Sequence, residues 1–169
     1  MQLLKAAPDL KMRTALITIY AAGLRVSEVV ALTARDINSE RMVIEVRQGK
    51  GRKDRYVMLS EQLLTILRDY WRRARPSERL FPFTTRSLQR ACREAADAAG
   101  LGKSVTVHTL RHSFATHLLE QGVDIRVIQD LLGHRHIQST TRYARVALNM
   151  IRQIQSPLEL LNLNETPPA

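Results

Sequence analysis

Apolar residues recur at helical spacing along most of this chain, and the period changes once, between Met42 and Leu59. Before the change, Met12, Ala15, Leu16, Ile19 and Tyr20 mark one face of a helix from Lys11 to Ala22, with Gly23 as its stop. Within it, Met42, Ile44 and Val46 alternate with Val43, Glu45 and Arg47, and Tyr56 to Leu59 follow a Gly49-Lys50-Gly51 turn. Alternation before a glycine-bracketed turn and an apolar run after it together predict a β-hairpin with Lys50 at its tip. A short Leu80-Phe81 strand is expected to add an edge, so the fold class is mainly α with a small antiparallel β-sheet.

The remaining segments read as helices with recognisable ends. Arg25 falls just past the first helix, and Ser27 is placed to cap a short second one through Leu32, with Asp36 and Asn38 marking a turn. Ser60 caps a helix carrying Leu63, Leu64, Ile66, Leu67, Tyr70 and Trp71, which Pro76 ends. From Thr85 to Ala99, Leu88, Ala91, Cys92 and Ala95 share one face while Arg86, Arg90 and Arg93 share the other. Three short helices follow, from Thr109 to Gln121, from Asp124 to Leu132 and from about Ser139, the first two closed by Gly122 and Gly133.

At 169 residues the chain is expected to be one domain, long enough to bury a core without staples. Its 26 Lys+Arg against 16 Asp+Glu give a formal charge of +10, and arginine, whose planar fork fits phosphate oxygens in pairs, dominates the basic set. Both point to a nucleic-acid partner. Few aromatics are present to stack on unpaired bases, which favours double-stranded DNA, and the Arg86, Arg90, Arg93 stripe could lie along its backbone or be an ordinary solvated face. The single Cys92 has no internal partner, and no stretch resembles a membrane span or a signal peptide, so a cytoplasmic, nucleoid-associated protein is expected.

Four local motifs occur in order: Gly-Leu-Arg-Val-Ser-Glu from Gly23, Gly-Lys-Gly from Gly49, His-Thr-Leu-Arg-His from His108, and Leu-Gly-His from Leu132 followed by Thr-Thr-Arg-Tyr from Thr140. Together they resemble the box pattern of the tyrosine recombinase (phage integrase) family, nearest its Xer-type and integron-type branches, over residues 10–150. The pattern comprises an arginine, a lysine, a His-x-x-Arg pair, a second histidine and a nucleophilic tyrosine.

These residue types suit phosphoryl chemistry in their own right. Two guanidiniums, Arg25 and Arg111, can stabilise the negative charge that develops on a phosphodiester under attack, with no cofactor and no metal required. A tyrosine with a pKa of about 10 is a poor nucleophile unless neighbouring cations or a base favour its deprotonation. The resemblance then implies the roles. Tyr143 attacks phosphorus to give a 3′-phosphotyrosyl link and a free 5′-hydroxyl. Lys50 protonates the leaving oxygen, His108 accepts and returns the tyrosine proton, and His134 donates a hydrogen bond to the phosphate. Glu28 takes a supporting role, orienting a neighbouring His or Arg. A homotetramer on DNA and a monomer in solution are implied in the same way.

Plainer readings exist for each part. Arg25 and Glu28 could be a surface ion pair, and Lys50 a solubility charge at a hairpin tip. Gly-Lys-Gly lacks the spacing of a phosphate-binding P-loop, and the histidine pairs lack the cysteine or carboxylate partners of a zinc site. His112, His117, Trp71 and Phe114 are expected to be structural, among apolar neighbours. A non-catalytic DNA-binding module would be expected to lack some site residue, and a type IB topoisomerase-like enzyme would relax supercoils without recombining DNA.

The expected organisation is a catalytic domain over residues 1–156 and a tail over 157–169, with the family's N-terminal core-binding domain absent. In the tail, Leu158, Leu161 and Leu163 could dock on a neighbouring protomer or pack back onto their own domain.

Overall fold

Asp9 starts the helix around which the rest is built: its carboxylate accepts the Met12 amide at 2.7 Å, a side-chain N-cap. The computed structural model describes residues 2–47, 54–102, 104–133 and 154–161. After the short α1 (Gln2–Lys5), α2 (Leu10–Ala22) is buried at every residue from Arg13 to Ala22. A helix buried on all sides must be surrounded. Its neighbours are α1, α3 (Val26–Ala31), α4 (Glu61–Ala74), α5 (Thr85–Ala98) and α6 (Val107–Glu120). Thr14 and Thr18 are tolerated inside because their hydroxyls donate to the Leu10 and Thr14 carbonyls, one turn back.

The sheet is antiparallel in the order β1 (Ile37–Asn38), β2 (Val43–Val46), β3 (Arg55–Met58). Ile44 pairs with Val57 and Val46 with Arg55, the hairpin that the alternation predicts. Its third strand differs from the expected one. Leu80 and Phe81 are not in the sheet: the Leu80 amide donates to Leu32 and its carbonyl accepts the Tyr70 hydroxyl at 2.6 Å, so both backbone groups are satisfied elsewhere. The edge is instead Ile37–Asn38, and Asn38 does form the expected turn, its side chain accepting the Arg41 amide.

A main core gathers around α2, and a second apolar cluster of Val43, Met58, Phe114, Leu118, Ile128, Leu131 and Leu132 joins the sheet to α6 and α7 (Ile125–Leu132). The two meet at Gly23. It ends α2 at φ +63°, and a Cβ there would come within 2.5 Å of the Phe114 ring. Phe114 is fully buried and His117 accepts or donates a hydrogen bond with the Tyr20 hydroxyl, whereas His112 is exposed and not among apolar neighbours as expected.

The predicted cap Ser60 is present, Asp124, expected as the first residue of α7, is its N-cap, and α6 starts two residues earlier than expected because Thr106 accepts the Thr109 amide. At the other end of the chain, a 3-10 turn (Pro157–Leu160) lies against α2, α4 and α6. Ser156 Oγ donates to the Ala21 carbonyl, Glu159 accepts the Gln62 amide, and Leu158 is fully buried in this chain's own core. Leu161 packs partly on the same core, Leu160 is 61% exposed, and Leu163 lies outside the described residues.

Candidate active site

The site begins at the sharp turn between α2 and α3. The left-handed Gly23 redirects the chain, and Arg25, not the expected Ser27, takes the N-cap position of α3. Its side chain is not the cap. Glu28, in the first turn, reaches back to accept the Arg25 amide at 2.7 Å, placing a carboxylate where the helix N-terminus favours negative charge.

That carboxylate is a four-way acceptor. Oε1 takes Nη1 of Arg25 at 2.9 Å and Nη1 of Arg55 at 2.7 Å; Oε2 takes the Arg25 amide and Nη2 of Arg55 at 2.9 Å. An ionised carboxyl has about four lone-pair sites, so Glu28 is saturated. Arg111 approaches it as well, Nη1 to Oε2 at 3.9 Å.

Arg111 arrives from α6 almost wholly buried. Its Nη1 donates to the Gly23 carbonyl and its Nη2 to the Leu132 carbonyl. The last carbonyls of a helix lack intrahelical partners and form the negative end of its dipole. At the end of α7 these are met by arginines: Arg55 Nε donates to Leu131 at 3.1 Å, Arg111 to Leu132, and Arg25 Nη2 to Gly133 at 3.5 Å. Three cations around one carboxylate leave the cluster positive.

Burial raises the Glu28 carboxyl, but the hydrogen bond and charge of Arg55, with the bonds from Arg25, outweigh it and hold the group at about 2. Burial, with Arg25 nearby, brings Arg111 down to about 10, still a cation at neutral pH. Side-chain exposure separates the guanidiniums: 30% for Arg25, 13% for Arg55 and 8% for Arg111. Arg25 is the most open to a ligand. Two of Arg111's five N–H groups are spent on carbonyls, which fixes the direction of the rest.

His108 is exposed one turn before Arg111 on α6, so the His-x-x-Arg spacing puts both on neighbouring positions of one face. The structure thus brings Arg25, Glu28 and Arg111 together. Lys50, His134 and Tyr143 lie outside the described residues. Arg86, Arg90 and Arg93 are exposed along α5, opposite the buried Leu88, Ala91, Cys92 and Ala95. Arg90 makes one loose i, i+4 contact, Nε to Glu94 at 3.4 Å. Cys92 is a core residue whose thiol burial pushes up to about 11. Among the described residues no helix is long and apolar enough to cross a membrane.

Comparison with known proteins places this arrangement. The profile of the phage integrase family matches residues 1–150. The chain belongs to the phage integrase family. This phage integrase family chain is 54% identical over 168 residues to a putative integrase/recombinase of Sinorhizobium fredii, covering 95% of the chain and 54% of that protein. The crystal structure of XerA recombinase superposes with a TM-score of 0.73 at 32% identity, covering 90% of this chain and 58% of that one. XerH site-specific recombinase, solved bound to its difH substrate before cleavage, matches at a TM-score of 0.66 and 25% identity, over 82% of this chain and 46% of that one. The chain therefore spans about half the length of these relatives. The mainly helical fold with its small antiparallel sheet is that of the tyrosine recombinase catalytic domain.

One residue of the cluster is absent from the motifs. Arg55 shares strand parity with Val57 and stands opposite Val46, both buried, and so faces the same side of the sheet as they do. Met58, on the opposite face of β3, is buried too, so no polar-apolar alternation in this strand marks Arg55 in the sequence.

Proposed function

We propose that this chain is the catalytic part of a site-specific DNA recombinase that cleaves and rejoins duplex DNA through a covalent 3′-phosphotyrosyl intermediate. The observation that carries the reading is the joining of Arg25 and Arg111, from different helices, at one carboxylate beside the end of α7. Preorganised guanidiniums stabilise charge as it develops on the phosphate oxygens, and their fixed positions cost no reorganisation during the reaction. The similarity to XerH recombinase, which was solved on its difH substrate in a pre-cleavage complex, supports the same substrate class for this chain.

In this mechanism Tyr143 attacks phosphorus, the bond to the 5′-oxygen breaks, and Lys50 supplies the proton that oxygen takes up. His108 receives the tyrosine proton and His134 hydrogen-bonds the phosphate. Glu28 positions Arg25. The ester retains the energy of the broken bond, so a 5′-hydroxyl from either duplex can reverse the step. Arg86, Arg90 and Arg93 contact the DNA backbone. The protein acts as a homotetramer on DNA, is a monomer when free, and works in the cytoplasm at the nucleoid.

The reading is tested with a nicked duplex that loses a short strand on cleavage and so cannot religate. In the presence of chelator, a species of chain plus DNA strand should survive denaturing electrophoresis, and Tyr143→Phe should abolish it. A chain that binds the duplex without forming the species would be a DNA-binding module.

A further inference from the structure

We infer that Arg55 is a positioning residue that shares the Glu28 carboxylate with Arg25, so that Glu28 engages only one guanidinium nitrogen of Arg25, the group that faces the phosphate, and that it fastens the root of the β2–β3 hairpin to the end of α7. The inference rests on the reading of this cluster as a DNA-cleaving site. Arg55 is the first residue of β3, paired with Val46, and enters the cluster from the hairpin. Its three nitrogens are all engaged: Nη1 and Nη2 on Glu28, Nε on the Leu131 carbonyl of α7.

The geometry of Gly133 is an independent sign of the same contact. At φ +69° it ends α7, and a Cβ there would come within 3.0 Å of Arg55 Cδ and Nε. The glycine leaves the room through which the arginine crosses the helix end. In sequence, Lys50 lies shortly before Arg55 and His134 directly after Gly133, so one side chain ties together the segments that lead to both.

The charge balance gives the tie its consequence. With Arg55 in place, half of Glu28's acceptor sites are occupied by a cation that does no other chemistry. Without it, the negative charge is left to Arg25, whose Nη1 already touches Oε1, and to Arg111 at 3.9 Å, and Arg25 would be drawn further onto the carboxylate in competition with DNA. Lysine at this position would keep the charge. With one nitrogen it could not span both the carboxylate and the Leu131 carbonyl.

Two measurements on the full chain, with Arg55→Ala and Arg55→Lys, test the inference. In hydrogen exchange, residues 55–58 and 128–133 should exchange at least tenfold faster in Arg55→Ala, while α2 keeps its protection. Acceleration in one segment alone, or in neither, would overturn the tie, and this arm is decisive whether or not the chain cleaves DNA. In single-turnover cleavage of the nicked duplex at saturating DNA, Arg55→Ala should be at least tenfold slower, with affinity within threefold of the parent and partial recovery in Arg55→Lys. A lower melting temperature with an unchanged cleavage rate per folded molecule would show Arg55 to be structural only and would overturn its positioning role. Failure of the parent chain itself to cleave would count against the proposed function instead.

Discussion

Arg55 and Glu28 meet fork to fork, Nη1 on Oε1 at 2.7 Å and Nη2 on Oε2 at 2.9 Å, with side chains 13% and 7% exposed. Such a pair is strong because it is bidentate and charge-assisted, and removing one partner leaves the other buried without compensation. Glu28→Gln, which keeps the shape and loses the charge, is expected to cost roughly 3–5 kcal/mol. In a chain of this size that is about 6–20 °C in melting temperature. A denaturation midpoint within error of the parent would show that the cluster does not depend on the carboxylate charge.

The same group sets a pH dependence. The folded Glu28 carboxyl, at about 2, lies below its ordinary value of 4.5, so between these pH values the unfolded chain binds more protons than the folded one. Its contribution to stability is complete above about pH 4.5 and is lost as the pH falls toward about 2. Urea midpoints between pH 5 and 2 should fall more steeply for the parent than for Glu28→Gln; parallel curves would contradict the depressed value.

Gly23 and Gly100 share φ +63° but not their surroundings. Alanine at Gly100 meets nothing within 4 Å and should cost only the backbone penalty, about 1–2 kcal/mol. At Gly23 it also collides with Phe114, adding roughly 1–3 kcal/mol of overpacking, and it disturbs the carbonyl that holds Arg111. Chemical denaturation should therefore rank Gly23→Ala well below Gly100→Ala. Equal losses would mean that Phe114 can move aside.

On α5, replacing Arg86, Arg90 and Arg93 with glutamine should leave stability within about 0.5 kcal/mol, because all three are exposed. If each contacts a phosphate, the slope of log affinity against log salt should become shallower by about 0.9 per residue, with losses similar across DNA sequences. An unchanged slope would make the stripe an ordinary solvated face.

Much of this architecture is legible in the sequence because local patterns and the fold agree. Ser60 caps the helix it precedes, Gly23 and Gly133 close theirs, and the change of period marks the hairpin. What escapes is set by contacts distant in the chain. Nothing local tells that Leu80 gives its amide to Leu32 and so leaves the sheet edge to Ile37–Asn38. The motifs select Arg25, Glu28 and Arg111, but Arg55 belongs to the cluster through a strand face and a helix end that only the fold brings together. Ser27 looks like the better cap in sequence, yet Glu28 supplies the hydrogen bond to Arg25 that fixes the start of α3. The lysine, second histidine and tyrosine boxes lie outside the described residues and rest on the sequence pattern alone.

The most direct test of the central claim is to map the protein–DNA bond itself. The trapped complex is digested with nuclease and protease, and the peptide carrying a residual nucleotide is sequenced by mass spectrometry. The adduct should sit on Tyr143, linked through a 3′-phosphate. A nucleotide on any other residue, or one joined through a 5′-phosphate, would contradict the assignment of the nucleophile and of the polarity of cleavage.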